Sequence, residues 1–287
     1  ASNPLSTKTY QEWITELNQV YGLDKGIIPG FFGWLGNAIK GDFGESWHYA
    51  VPVTEKFSEV IWVSIILNIV TTLVQFFIAI PLGILAARKQ YSRTDYAITF
   101  FALMGISLPT FFLATILKYV FAIKLQWFDL YGLTGRFHTT MTSFEQTIDI
   151  AYHLVLPVIT LMMLSVGGLM RYTRTNMLEV LNSDYIRTAR AKGLPEKVVI
   201  NKHAFRNTLI PLVTSLSGIL PGMFTGAMIT ETLYQIPGIG YISYQAIIRG
   251  DIPFAMFYMV FLILLTQVSI LVSDILYAIV DPRIRVN

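Results

Sequence analysis

Five long apolar runs limit what this chain can become more than any other feature of it. They cover residues 60–87, 96–121, 152–170, 208–229 and 254–280. About 20 apolar residues at 1.5 Å rise per residue cross the hydrocarbon of a bilayer. A lipid-exposed backbone must satisfy its own hydrogen bonds, so the runs are predicted to be helices. Pro109, Pro157, Pro211 and Pro221 should then mark kinks, breaks or ends, and Pro81-Leu82-Gly83 should close the first run. Composition agrees: 54% of the 287 residues are hydrophobic and 14% charged, against about a quarter charged in soluble domains. Mean hydropathy is +0.55. The fold class is an all-α membrane protein with five transmembrane helices.

Thirteen basic residues follow the first, third and fifth runs: Arg88, Lys89 and Arg93, then eight between Arg171 and Arg206, then Arg283 and Arg285. Seven lie on the opposite side, and Lys118 lies inside a run. Basic residues accumulate in cytoplasmic loops, so the thirteen are assigned to the cytoplasm, the N-terminus to the outside and the C-terminus to the inside. An outside start without a signal peptide is unusual, so a sixth, N-terminal helix is expected to be missing. Residues 1–59 are an extracytoplasmic segment and 60–287 the transmembrane domain, with a cytoplasmic loop at 171–207. Thr9 and Glu12 have capping-box spacing. Tyr10, Trp13, Ile14, Leu17, Val20 and Tyr21 then recur at helical spacing up to Gly22. That helix lies on the protein or lipid surface, or offers a platform to an outside partner. Phe31, Phe32, Trp34, Phe43 and Trp47 read as interfacial aromatics. Ser165, Gly167 and Gly168 permit close helix approach, and Pro237, Gly238 and Gly240 fit a tight turn in the outer connection 230–250.

Little here reads as catalytic. With no cysteine there is no disulfide framework, thiolate metal site or Cys nucleophile. His48, His138, His153 and His203 are scattered and none has a second ligand at metal spacing, so no metal or catalytic residue is assigned. There is no G-x-x-x-x-G-K-[ST] loop to hold nucleotide phosphates. Energy for transport must come from a partner or a gradient. A gradient-driven carrier or channel needs ionisable groups at membrane depth. Lys118 lies near an outer end, and Asp274 reads as a structural partner of Arg171 or Arg174, with proton coupling the alternative.

The most basic stretch is 183–211, SDYIRTARAKGLPEKVVINKHAFRNTLIP. Ser183 or Asp184 can cap a short helix over 184–192, with acid first and Arg190 and Lys192 last, matching the macrodipole. Gly193 supplies the positive φ that ends it, and Pro195 suits N1 of a second helix returning to the membrane near Thr208. Tyr185, Ile186 and Ala189 share a small apolar face ringed by Arg187, Arg190 and Lys192. The loop docks on another protein or lies against anionic headgroups.

The segments TARAKGL and HAFRNTLIP resemble the cytoplasmic loop of the permease subunits of bacterial ABC importers. The likeness is to the dipeptide/oligopeptide/nickel branch, oligopeptide permease B type. It extends to GDFGES at 41–46, PLGILAA at 81–87, residues 174–179, Glu231-Thr232-Leu233, IPGIG at 236–240 and DPRIR at 281–285. The general importer motif opens Glu-Ala-Ala, whereas Arg187-Thr188-Ala189 stands here, as is usual in this branch. The resemblance implies a type I importer permease that pairs with a homologous second permease in the bacterial cell membrane. It implies two cytoplasmic ATPases holding ATP and Mg, and an extracellular or periplasmic binding protein that delivers peptide, with nickel or another solute as the alternative cargo. Nucleic acid is not a partner. By position, Tyr185, Ile186, Arg187, Thr188, Ala189, Arg190, Ala191, Lys192, Gly193 and Leu194 become the ATPase-coupling helix and turn. Segments 1–59 and 230–252 become binding-protein contacts.

Overall fold

The computed structural model describes residues 9–20, 26–208 and 227–280, and its named elements are all helices. α1 (Tyr10–Val20) opens with the Thr9 N–H donating to the Glu12 carboxylate at 2.8 Å, one half of the expected capping box. Gly22 lies outside the described residues. α2 (Ile27–Ile39) follows, with Phe31 and Phe32 exposed.

Two helices form the spine: α3 (Val53–Arg88, 36 residues) and α6 (Ser143–Leu181, 39 residues). Each is on the order of 55 Å long and overhangs a hydrocarbon layer of about 30 Å. The third run was expected to end near residue 170, with a loop from 171. Instead α6 carries on to Leu181, so the loop begins at Asn182. Pro81 does not close the first run, because α3 continues through it to Arg88, and α6 passes through Pro157 in the same way. A proline removes one N–H, and the surrounding helix and its neighbours absorb that loss.

Pro109 acts differently. α4 (Arg93–Ser107) and α5 (Thr110–Leu117), the latter prolonged by a π-helical turn at Lys118–Lys124, meet at 103°. Leu108 is extended, with ψ 132°, as a residue before proline prefers. The connection 230–250 is more than a turn. It holds α9 (Met228–Tyr234) and α10 (Ile239–Ile248), and α11 (Ile252–Val280) is the last described element. Among the described residues three helices are long and apolar enough to cross a membrane: α3, α6 and residues Ile252–Val272 of α11. Counting the bent α4–α5 pair as one span makes four. The expected five are therefore not reached there, and residues 209–226 of the fourth run lie outside the description.

Four apolar clusters follow one another along the spine. Val60, Ile61, Ile239, Ile242, Phe254 and Phe257 join α3, α10 and α11. Leu67, Leu113, Leu117, Leu154 and Tyr234 come next, then Ala79, Ala102 and Met170. Ala87, Met177, Ile186 and Val199 fill the basic end. Trp62, Leu73, Phe77, Phe100, Phe111, Ile263 and Leu264 point outward and are exposed. Apolar exposure on that scale marks a surface covered by lipid or protein rather than water.

Candidate functional site

At the basic end, α7 (Asp184–Ala191) follows α6 after Asn182 and Ser183. Ser183 takes the N-cap position, but its hydroxyl does not cap; it donates back to the Val180 carbonyl at 2.6 Å. The other end is built as expected. Gly193 has φ +76°, its N–H donates to Arg190 O at 2.9 Å, and the Leu194 N–H reaches Ala189 O at 3.4 Å. That pair of bonds is a Schellman stop. A Cβ at Gly193 would meet nothing within 4 Å, so φ alone calls for glycine.

The apolar face does not stand free. Ile186 and Ala189 are buried, and they lie in the cluster with Ala87 of α3, Met177 of α6, and Val199, Ile200 and Ala204. Apolar side chains at the helical spacing i, i+3 serve here to seat α7 on its own protein. What faces outward is Tyr185, Arg187, Thr188, Arg190, Ala191, Lys192, Gly193 and Leu194, with Tyr185 48% exposed. Arg187 lies 3.5 Å from Asp184. Arg190 donates through Nη2 at 2.8 Å and Nε at 3.2 Å to Glu196, which opens the short α8 (Glu196–Val198). The guanidinium holds the Glu196 carboxyl below its ordinary range. Pro195 sits one place before the expected N1, at the N-cap of α8. The π-helical stretch Val199–Ala204 then leads to Thr208.

The ion pair expected at Asp274 is not formed. Asp274 and Arg171 are exposed, and among the described residues no ion pair joins them. Arg174 turns instead to Asp95 of α4, donating Nε to Oδ1 and Nη2 to Oδ2, both at 2.8 Å. Asp95 also accepts from the Tyr91 N–H at 3.0 Å, which ties down the α3–α4 turn. Its local signal was Ser92-x-x-Asp95 at a helix start, where an acid suits the dipole.

The opposite end contains polar links that spacing did not reveal. Glu231 is fully buried; its carboxylate accepts from Ser64 Oγ at 2.7 Å and from the N–H groups of Ala227 and Tyr241 at 3.0 Å. It thereby satisfies the start of α10, where free N–H groups and partial positive charge meet. Gly238 fits because any Cβ would lie 2.5 Å from Glu231 Oε2. Asp251, also buried, accepts from Ser46 Oγ and from the N–H groups of Trp47 and His48 at 3.2 Å. Lys118 does not reach away from the protein; it donates to Leu233 O at 2.6 Å and covers the Tyr131 ring at 3.9 Å. His138 and His153 converge on Asp149, at 2.6 and 3.3 Å. Among the described residues no three His, Asp or Glu side chains could hold a metal ion.

Residues 79–286 match the family described as binding-protein-dependent transport system inner membrane component. The chain belongs to this family. The matched region of this inner membrane component runs from the second half of α3 through α11 and so includes α7, the Asp95–Arg174 pair and Glu231. The chain is 40% identical over 266 residues to the oligopeptide transport system permease protein AppB of Bacillus subtilis, covering 92% of this chain and 83% of that one. It is 34% identical over 275 residues to OppB, the corresponding protein of Haemophilus influenzae, covering 96% and 86%. The dipeptide transport system permease protein DppB of Lactococcus lactis is 34% identical over 285 residues, covering 99% and 88%. A chain of the inward-facing MetNI methionine ABC transporter superposes with TM-score 0.60 at 15% identity, over 79% of this chain and 97% of that one. The component therefore has the fold of an ABC importer permease.

Proposed function

We propose that this chain is the transmembrane subunit of an ATP-driven importer and forms half of a peptide path across a bacterial inner membrane. The other half comes from a homologous permease. Peptide as cargo rests on the names carried by AppB, OppB and DppB. Two ATPases supply the energy, and a binding protein delivers the cargo at the opposite face. The basic end is cytoplasmic and residues 1–59 lie outside, in keeping with the distribution of Lys and Arg.

The observation that carries the mechanism is the seating of α7. Its buried residues fix it to the ends of α3 and α6, so a push on its outer face moves the long helices rather than the loop alone. ATP-driven closure of the ATPases then rocks the bundle between outward- and inward-open states. Tyr185, Arg187, Lys192 and Leu194 are exposed for that contact.

Co-purification tests the reading. The chain should come out of the membrane with a second permease and ATPase subunits, and should move peptide only with them and the binding protein. A chain that transports alone is no importer half. Within the assembled importer, Gly193→Val places a β-branched side chain at φ +76°, a conformation that costs an L-residue about 1–2 kcal/mol or more. Peptide uptake should fall while the subunit stays in the membrane. Normal uptake with normal stimulation of ATP hydrolysis would rule out α7 as the lever.

A further inference from the structure

We infer that the Asp95–Arg174 pair is a positioning link that makes α4 travel with α7 during transport. The inference rests on the reading of α7 as the ATPase-facing lever. The cluster beneath α7 draws on α3, α6 and the stretch after α8, and none of its residues comes from α4. Motion of α7 must therefore reach α4 through a neighbour. Arg174 lies on α6 seven residues before its end at Leu181, about 10 Å along the helix. Asp95 lies in the first turn of α4 and is 3% exposed. Two parallel bonds of 2.8 Å fix both the distance and the orientation of the helices, as a bidentate arginine–carboxylate pair does.

Below the pair the helices have no slack. A Cβ on Gly167 of α6 would lie 2.3 Å from Ala102 O of α4, and one on Gly105 of α4 would lie 2.5 Å from Met163 O of α6. The unit ends at Leu108–Pro109, where the chain turns by 103°. Beyond the bend, α5 packs through Leu113 and Leu117 with Leu67 of α3 and Leu154 of α6, and Lys118 just after it donates to the Leu233 carbonyl. α4 is thus built to move with α6 and α7 as far as the bend. An ion pair present only for stability would not require that Arg174 stand beside the lever and Asp95 at the near end of a helix that contributes nothing to the cluster under the lever.

The test uses the complete importer in proteoliposomes, with uptake and ATP hydrolysis read in the same vesicles. Asp95→Asn should assemble and keep binding-protein-stimulated hydrolysis, while peptide moved per ATP falls about tenfold. A purely stabilising pair would instead lower uptake and hydrolysis together, in step with the amount of complex. The second arm is Asp95→Cys with Arg174→Cys, in a chain that has no other cysteine. Joining the two thiols with a short bifunctional reagent should restore most of the peptide moved per ATP, whether or not Asp95→Asn assembles. A tethered protein as uncoupled as the untethered one, or Asp95→Asn with unchanged peptide per ATP, overturns the link. If wild-type importer shows no stimulated hydrolysis, the lever reading itself fails and this inference falls with it.

Discussion

Adjacent glycines in this chain have opposite tasks. Gly167 and Gly168 read alike in the sequence, as small residues where helices can meet. A Cβ on Gly167 would strike the Ala102 carbonyl and the Ile106 side chain, whereas one on Gly168 would meet nothing within 4 Å. Gly167→Ala should force α4 and α6 apart and cost about 1–3 kcal/mol, the usual range for overpacking. Gly168→Ala should be neutral or stabilise by up to about 1 kcal/mol, because alanine is the better helix former. Thermal unfolding of the two purified variants in detergent checks the contrast. Gly193 is a third case, readable in advance because a helix stop is a local φ requirement. The 100° step between neighbours on a helix decides which of two glycines faces a partner, and the partner's position is not local.

At the scale of elements, the ends of helices were the most legible. The Gly193 stop needed only its neighbours. The start of α6 is a full capping box, with Thr142 N–H on Glu145 at 2.8 Å and the reciprocal bond at 3.4 Å. Its Thr-x-x-Glu spacing is the same signal noted at Thr9. Helix faces were less legible: the spacing assigns Ile186 and Ala189 to a face turned to another protein or to headgroups, and they are buried against α3, α6 and the stretch after α8. The Arg190–Glu196 bond joins α7 to α8 and gives this region a pH response. Because Arg190 lowers the Glu196 carboxyl, its contribution is present above glutamate's unfolded value, about 4.3. It is lost as pH falls through the lower folded value. Amide-exchange protection of α7, corrected for intrinsic rate, should decline as pH falls below about 4, and Arg190→Gln should flatten that decline. The change should be small, since both side chains are about half exposed.

For the whole molecule, closure depends on a few buried carboxylates that join distant parts of the chain. Asp251 precedes α11 and holds Ser46, 205 residues away. Asp251→Ala would leave Ser46 Oγ and the Trp47 and His48 N–H groups without their acceptor, at a cost of about 2–4 kcal/mol. The expected readout is a lower Tm with early exposure of residues 41–50 to protease. An unchanged Tm and cleavage pattern would show that the aromatic contacts there, such as Phe43 on Phe257 at 4.6 Å, suffice. The sequence by itself determined that the chain is helical and membrane-spanning, which end is basic, and where α7 stops. Each of these depends on hydropathy, charge or φ within a few residues. Only the tertiary structure decided that Arg174 meets Asp95 rather than Asp274, and that Glu231 meets Ser64, 79 and 167 residues apart. Apolar runs state that helices pack, but side-chain pairing depends on each helix's rotation and height against its neighbours, and a run of Leu, Ile and Phe leaves both open.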